Sequence, residues 1–480
     1  MTTVDDATSR TAGTSPALPR LTAVNILGYG AGDAANNLAF MLATSFLLVY
    51  YTDVVGIGAA AAGTLFLVVR IFDAFTDVVA GRIVDRTNTR FGKFRPYLLF
   101  GALPLLLLSV ATFNVPELGE TGTLLYAYLT YTLLGIAYTI VNIPYGSLAS
   151  AMTQDASDRA KLASARTLGA AIVGSLLAAV LTPMLSKDND MQAVFTNATL
   201  AFVVVGGALY MFTFLTTKER VARDVTVVTM RQTVETLRGN RALALLCLSS
   251  FLLLTGMFAK STAQIYLMRD VFDALELVAP LSIAQLFGIF AIAPFVPKIV
   301  RRWGKRNAYI GAGFVAAGGS FVAFVAPNVW VAFAALLVSM PGLLLINMLI
   351  WALEADTVEY GEWKTGVRTE GVTYGAFSFT RKAGQAVGGA MAAYALAIGG
   401  YVGSEQVQTA AAEWGIRAAA ALVPGVFALA AALIMMAYPL TDAVHARIVA
   451  EIAERRAART DAALPDGGGD VAEGGATTPA

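Results

Sequence analysis

In the stretch LVVRIFDAFTDVVAG, Asp73 and Asp77 stand four residues apart in an otherwise apolar run that also holds Arg70. On a helix that spacing puts both carboxylates on one face, one turn apart. Two such groups are hard oxygen ligands for a small cation, or acceptors for a proton. Arg70 can neutralise only one of them, which leaves a second acid over. Further along, GVTYGAFSFTRKAGQAVGGA sets Arg381 beside Lys382. Neighbouring helical residues point about 100° apart, so these two cations must face different partners. Lys382 is expected to pair with Asp73 and Asp77, the plainer alternative being a fixed salt bridge. Arg166 opens another apolar run, where it could snorkel or bind an anion, and Lys260 suits snorkelling. YTIVNIPYGSL places Asn142 ahead of Pro144, which would kink a helix. GDAANNLAF places Asn36 and Asn37 just after Asp33. Amides so placed hydrogen-bond either a sugar hydroxyl or a neighbouring helix.

These polar groups stand out because the chain around them is so apolar. Of 480 residues, 57% are hydrophobic and 14% charged, against about 25% charged in soluble domains. The mean hydropathy of +0.64 agrees. One cysteine excludes a disulfide scaffold, and a net charge of +1 excludes a basic nucleic-acid binder. What remains is a polytopic membrane protein. A helix needs about 20 mostly apolar residues to cross the hydrocarbon core. Twelve segments are expected to do so, at roughly 22–50, 60–84, 97–113, 124–149, 164–185, 194–215, 242–267, 277–297, 308–326, 329–353, 371–400 and 415–440. Asp73 then lies about 20 Å deep in the second. Ionisable residues at such depth are costly, and each is a candidate functional residue.

Lys and Arg in short loops set the orientation. Loop 2–3 carries Arg86, Arg90, Lys93 and Arg95, and loop 8–9 carries Lys298, Arg301, Arg302, Lys305 and Arg306. The opposite loops offer only Lys187 and Arg269, so both termini are expected in the cytoplasm. Residues 1–21 read as an N-terminal tail without a signal-peptide core. Residues 22–215 and 242–440 read as two six-helix bundles joined by a polar loop at 216–241, and 441–480 as a cytoplasmic tail with a disordered end. GRIVDRTNTRFGKFRP and VPKIVRRWGKRN recur at corresponding places in the two halves. In the first of them Asp85 can pair with Arg86 or Arg90. Between spans 10 and 11, WALEADTVEYGEWKTGVRTEG brings Glu354, Asp356, Glu359 and Glu362 to a helix end expected inside the cell. They form either a solvated face or a gate that pairs with basic loops in one transport state. Trp351, Tyr360 and Trp363 suit the interfacial aromatic belt. His445 and Cys247 are solitary and receive no role. No phosphate-binding loop, metal motif or soluble catalytic domain is present, so an ion gradient is the expected energy source and no enzyme activity is expected.

YYTDVVGIGAAAAGTLFLVVRIFDAFTDVVAGRIVDRTNTRFGKFRPYLLFG, YTIVNIPYGSLASAMTQ and WALEADTVEYGEWKTGVRTEG with FSFTRKAGQAVGG resemble the glycoside–pentoside–hexuronide:cation symporters. The likeness runs from about residue 22 to 457. It implies the major facilitator fold, an all-α membrane protein of 12 transmembrane helices, and alternating access in the cytoplasmic membrane. It also implies uptake of a glycoside with Na+ or H+, without another cofactor. Residue by residue, it implies a cation site of Asp73, Asp77 and Thr139, which ligate the metal directly if the ion is Na+. The substrate would meet Asn37, Tyr138, Asn142, Arg166 and Lys382. Gating would fall to Asp85, Arg86, Arg90, Glu354, Asp356, Glu359 and Arg368. Galactoside-carrying members have aspartates where Asn37 and Asn142 stand, and a tryptophan where Gly146 stands. Two buried aspartates would repel a carboxylate strongly, so asparagines there fit a glucuronide, with Arg166 free to hold its carboxylate. The alternative cargo is a neutral glycoside, pentoside or oligosaccharide. The expected partners are that glycoside, a monovalent cation and the lipid bilayer, with no nucleic acid, and the unit of function is a monomer.

Overall fold

The structure, a computed structural model, describes residues 20–153, 155–220, 238–366 and 370–463. Among the described residues the chain is helical, with one isolated bridge between Thr89 and Gly92. In chain order the first helices are α1 (Ala23–Val49), α2 (Ala59–Arg86), α3 (Arg95–Phe100), α4 (Ala102–Thr112), α5 (Gly119–Met152), α6 (Ala156–Leu181) and α7 (Met191–Thr216). After loop 6–7 come α8 (Arg241–Tyr266), α9 (Val278–Ile292), α10 (Val296–Phe324), α11 (Val329–Thr365), α12 (Glu370–Gly399), α13 (Ala410–Arg417), α14 (Val423–Met436) and α15 (Asp442–Ala463). Nine helical stretches among the described residues are long and apolar enough to cross a membrane, and the chain is a multi-pass membrane protein. The helix of the last span is interrupted by a π-turn at Ala418–Leu422. The expected loop 8–9 is a kink inside α10 at Gly304, whose φ of +76° suits glycine. The expected C-terminal tail begins as the helix α15, which buries Ile448 and Ile452.

Contacts group the chain into two units. The first holds Met1–Val227, Phe258–Leu286 and Gly389–Ala420, and the second holds Val228–Met257, Phe287–Gly388 and Ala421–Ala480. In the first unit, α1 starts at the Thr22 cap, where the Asn25 backbone donates to Thr22 and the Asn25 side chain accepts in return. Asn25 Nδ2 also donates to the Thr216 carbonyl at 2.7 Å, which ties the start of α1 to the end of α7. The crossing of α1 with α6 depends on glycine. A Cβ on Gly30 would lie 2.9 Å from the Ala165 carbonyl oxygen, and one on Gly169 would collide with the carbonyl of Gly30. Small residues let membrane helices approach this closely. The second unit packs in the same manner, with Gly319 against Ser339 and Gly342 against Ala312 and Ala316 where α10 meets α11.

The segments Phe258–Leu286 and Gly389–Ala420 join the first unit through a buried ionic cluster. Asp53, just past α1, pairs with Arg269, and the Tyr401 hydroxyl donates to Asp53 at 3.0 Å. Arg269 also pairs with Asp270 at 2.9 Å, and Lys187 reaches the other oxygen of Asp270 at 2.9 Å. Lys187 and Arg269, the basic residues of the opposite loops, are thus not solvated. The side chains of Asp53 and Arg269 are 0% and 7% exposed. Removing one member of such a cluster strands the others without water, at about 3–5 kcal/mol. Arg269→Ala is therefore expected to lower the thermal unfolding midpoint in detergent by several degrees. Arg447→Ala, which breaks the exposed pair with Glu451, should change stability by less than about 1 kcal/mol and leave the midpoint near that of wild type. Equal midpoints for the two variants would contradict this account.

Candidate functional site

The α2 carboxylates have different neighbours. Arg70 Nη1 lies 3.6 Å from Asp73 Oδ2, so the arginine three residues earlier takes the first acid. Thr139 Oγ1, on α5, donates to Asp77 Oδ1 at 3.0 Å. Asp73 rests against α5 where that helix has no side chain. A Cβ on Gly135 would fall on Asp73 Oδ1 and lie 3.1 Å from its Cγ. Gly135 carries no charge and no donor, so nothing in the sequence singled it out. The Arg70 guanidinium sits 5.8 Å from the centre of the Phe40 ring, and Phe40 stacks on Tyr138 at 5.3 Å. Ala39, Phe40, Arg70, Asp73, Tyr131 and Tyr138 line a small cavity of ≈ 20 Å³, about the room one water needs. Asp73, Asp77, Thr139 and Tyr138 are thus brought to one place, between α2 and α5.

A second group lies where α1 crosses α6. Arg166 Nε donates to Asp33 Oδ1 at 2.8 Å, and Asn37 Nδ2 donates to Asp33 Oδ2 at 2.9 Å. The Gly30–Gly169 approach sets this spacing. Arg166 is therefore not free of acids, as the sequence suggested; an aspartate one turn before Asn37 holds it. Its guanidinium lies 5.5 Å from the Tyr145 ring and 3.7 Å from where a Gly146 Cβ would be. A tryptophan at 146 would displace it. Asn36 turns the other way and accepts from the Tyr210 hydroxyl at 2.7 Å, so it serves helix packing. Asn142 is half-buried and makes no hydrogen bond among the described residues. The α5 helix runs on through Pro144. In the second unit, Lys382 lies on an exposed face of α12.

The gating residues divide. Arg86 and Arg90 are exposed, and the Arg90 guanidinium lies 4.7 Å over the Phe91 ring. The loop after α2 is instead held by Glu219, whose carboxylate accepts from the backbone N–H groups of Lys93, Phe94 and Arg95 at 2.8, 2.8 and 3.0 Å. The Asp85 side chain and Arg368 lie outside the described residues. Glu354 and Asp356 are buried, 8% and 7% exposed, so the acidic run is not a solvated face. Asp356 pairs with Lys305, and His445 lies against Glu359 and 3.5 Å from Asp356. His445, given no role by sequence, closes this cluster from α15. Tyr360 is buried at 7%, and Trp363 Nε1 donates to Glu451 at 2.6 Å, so neither forms an interfacial belt.

Residues 28–442 match the sequence family described as MFS/sugar transport protein. The chain belongs to that family. The family is one of transporters, and this chain resides in the cytoplasmic membrane. The glucuronide carrier protein homolog of Escherichia coli K12 is 45% identical over 438 residues, covering 90% of this chain and 95% of that protein. The isoprimeverose transporter of Lactiplantibacillus pentosus is 31% identical over 438 residues, covering 89% and 91%. Among solved structures, the nucleoside transporter NupG matches with a TM-score of 0.60 at 14% identity, covering 87% of this chain and 98% of that one. That likeness supports the major facilitator fold alone.

The Asp33–Arg166 pair supplies a test of how this sugar transport protein is held together. The two residues are 133 apart in sequence and meet only if α1 and α6 cross as described. Asp33→Ala and Arg166→Ala should each lower the unfolding midpoint in detergent. The double variant should lose less than the sum, by about 0.5–3 kcal/mol. Strict additivity would show that the pair does not form.

Proposed function

We propose that the protein imports a hexuronide glycoside together with one monovalent cation, Na+ or H+, by alternating access. One observation carries the coupling: Asp73 and Asp77 stand one turn apart on α2, with Arg70 beside the first and the Thr139 hydroxyl donating to the second. A carboxylate beside a hydroxyl is an oxygen pair that suits one monovalent cation. That ion would bind between the Asp77 carboxylate and the Thr139 hydroxyl as Na+, or be held on a carboxylate as H+. No group of three or more His, Cys, Asp and Glu side chains among the described residues is arranged for a metal, so a bound Na+ would draw its other ligands from hydroxyls, carbonyls or water.

The substrate reading rests on charge. Asn37 and Asn142 offer donors and acceptors to sugar hydroxyls without adding an anion, and Asn142 has its amide uncommitted. With Arg166 and Asp33 cancelling each other, the group between α1 and α6 is a neutral, hydrogen-bonding surface that Tyr138 borders. Lys382 is the cation assigned to the coupling step. Asp356, Glu359, Glu354, Asp85, Arg86, Arg90 and Arg368 are assigned to opening and closing on the cytoplasmic side, with Lys305 and His445 as the partners that must release. The unit of function is the monomer. The relative named as a glucuronide carrier homolog supports the uronide. A second reading, a neutral glycoside or pentoside, is favoured by the charge cancellation at Arg166 and by the relative named as an isoprimeverose transporter.

Counterflow in proteoliposomes separates the two readings. Vesicles loaded with unlabelled substrate and given labelled glycosides should accumulate an aryl glucuronide transiently, well above the matching glucoside. Accumulation of the glucoside or a pentoside with no movement of any glucuronide would replace the first reading by the second.

A further inference from the structure

Arg381 sits eleven residues into α12, about 16 Å along the helix at 1.5 Å per residue. Its guanidinium lies 4.9 Å from the ring centre of Trp351 and 5.7 Å from that of Phe377. Trp351 in turn stacks on Tyr374 at 6.1 Å and meets Phe377 edge-on at 5.5 Å. Among the described residues Arg381 makes no ion pair and no hydrogen bond, in contrast to Arg166 with Asp33 and Arg269 with Asp53 and Asp270. Five N–H donors in a rigid fork are thus held in place by aromatic faces and spent on no acceptor among the described residues. Trp351 is 42% and Tyr374 54% exposed, so the rings present an open side. A guanidinium turned toward lipid is costly, so we assign the open side of these rings to water and whatever solute enters it.

We propose that Arg381, steadied by Trp351 and Phe377, is the group that binds the carboxylate of the transported sugar acid, with the Tyr374 and Trp351 rings against the apolar face of its pyranose. This rests on the hexuronide reading and specifies where its charge is recognised. A carboxylate accepts two parallel N–H bonds from a guanidinium fork, which satisfies the donors that the protein leaves open. Cation–π contact holds the fork without neutralising it, so the positive charge stays available to the solute. Arg166 lacks that property because Asp33 already accepts from it. Selectivity for an acid over its neutral counterpart thereby sits on α12.

The test compares Arg381→Gln and Arg381→Lys with wild type in counterflow, using an aryl β-glucuronide and the matching glucoside. Arg381→Gln should raise the half-saturation concentration for the glucuronide roughly ten- to a hundred-fold, the range for losing one charge-assisted hydrogen bond. The glucoside should change less than about threefold, and Arg381→Lys should recover part of the loss. Equal effects on both substrates, or none on either, would overturn the assignment while leaving the hexuronide reading standing. If wild type moves the glucoside and no glucuronide, that reading falls and the assignment with it. Should Arg381→Gln fail to fold, wild-type protein still decides: glucuronide, but not glucoside, should slow modification of Arg381 by phenylglyoxal. An unchanged rate of modification with saturating glucuronide would overturn the proposal.

Discussion

A charge buried away from water must find a partner, and that constraint organises this molecule. The buried acids are answered by a base or a donor, in most cases from another segment of the chain. Asp33 takes Arg166 and Asn37. Asp53 takes Arg269 and Tyr401, and Asp356 takes Lys305 and His445. Each of these contacts fixes how two helices cross, so the ionic pairs and the small-residue crossings specify one another. Gly30 and Gly169 bring α1 and α6 close enough for Arg166 to reach Asp33, and the pair then has a geometry that bulkier residues would forbid.

Against that background the exceptions carry the function. On α2 two acids stand one turn apart, and Asp77 with the Thr139 hydroxyl is the pair that a coupling cation would join. On α12, Arg381 has only aromatic rings for partners among the described residues, and a carboxylate would complete its donors. A fully paired interior could be stable, yet it would offer neither ion nor solute any gain on binding. The chain keeps its remaining polar surface neutral, through the Arg166–Asp33 pair and the amide of Asn142. That separation lets hydroxyls, carboxylate and cation be read by different groups.

Much of this was legible in the sequence where the chemistry is local. The i, i+4 spacing of Asp73 and Asp77 and the i, i+3 spacing from Arg70 to Asp73 are helical arithmetic, and the apolar segments lie under the helices observed. Contacts that depend on tertiary crossing were not legible. Asp33 and Arg166 are 133 residues apart, and Asp53 and Arg269 are 216 apart; nothing in either neighbourhood names the other. Glu219 was missed because it acts on backbone N–H groups, which leave no mark in side-chain identity. Gly135 was missed because its contribution is the side chain it lacks. The Asp85 side chain, expected to pair with Arg86 or Arg90, lies outside the described residues, and Tyr360, expected in the aromatic belt, is buried instead.

The central claim is that the Asp77 carboxylate on α2 couples the cation to the sugar. The most direct measurement places Asp77→Asn and wild type in proteoliposomes. It follows both substrate exchange without a gradient and accumulation under imposed Na+ or pH gradients. Exchange needs no net movement of the cation, so the account predicts that Asp77→Asn keeps exchange and loses accumulation under either gradient. Accumulation by Asp77→Asn at the wild-type ratio of cation to sugar would contradict it.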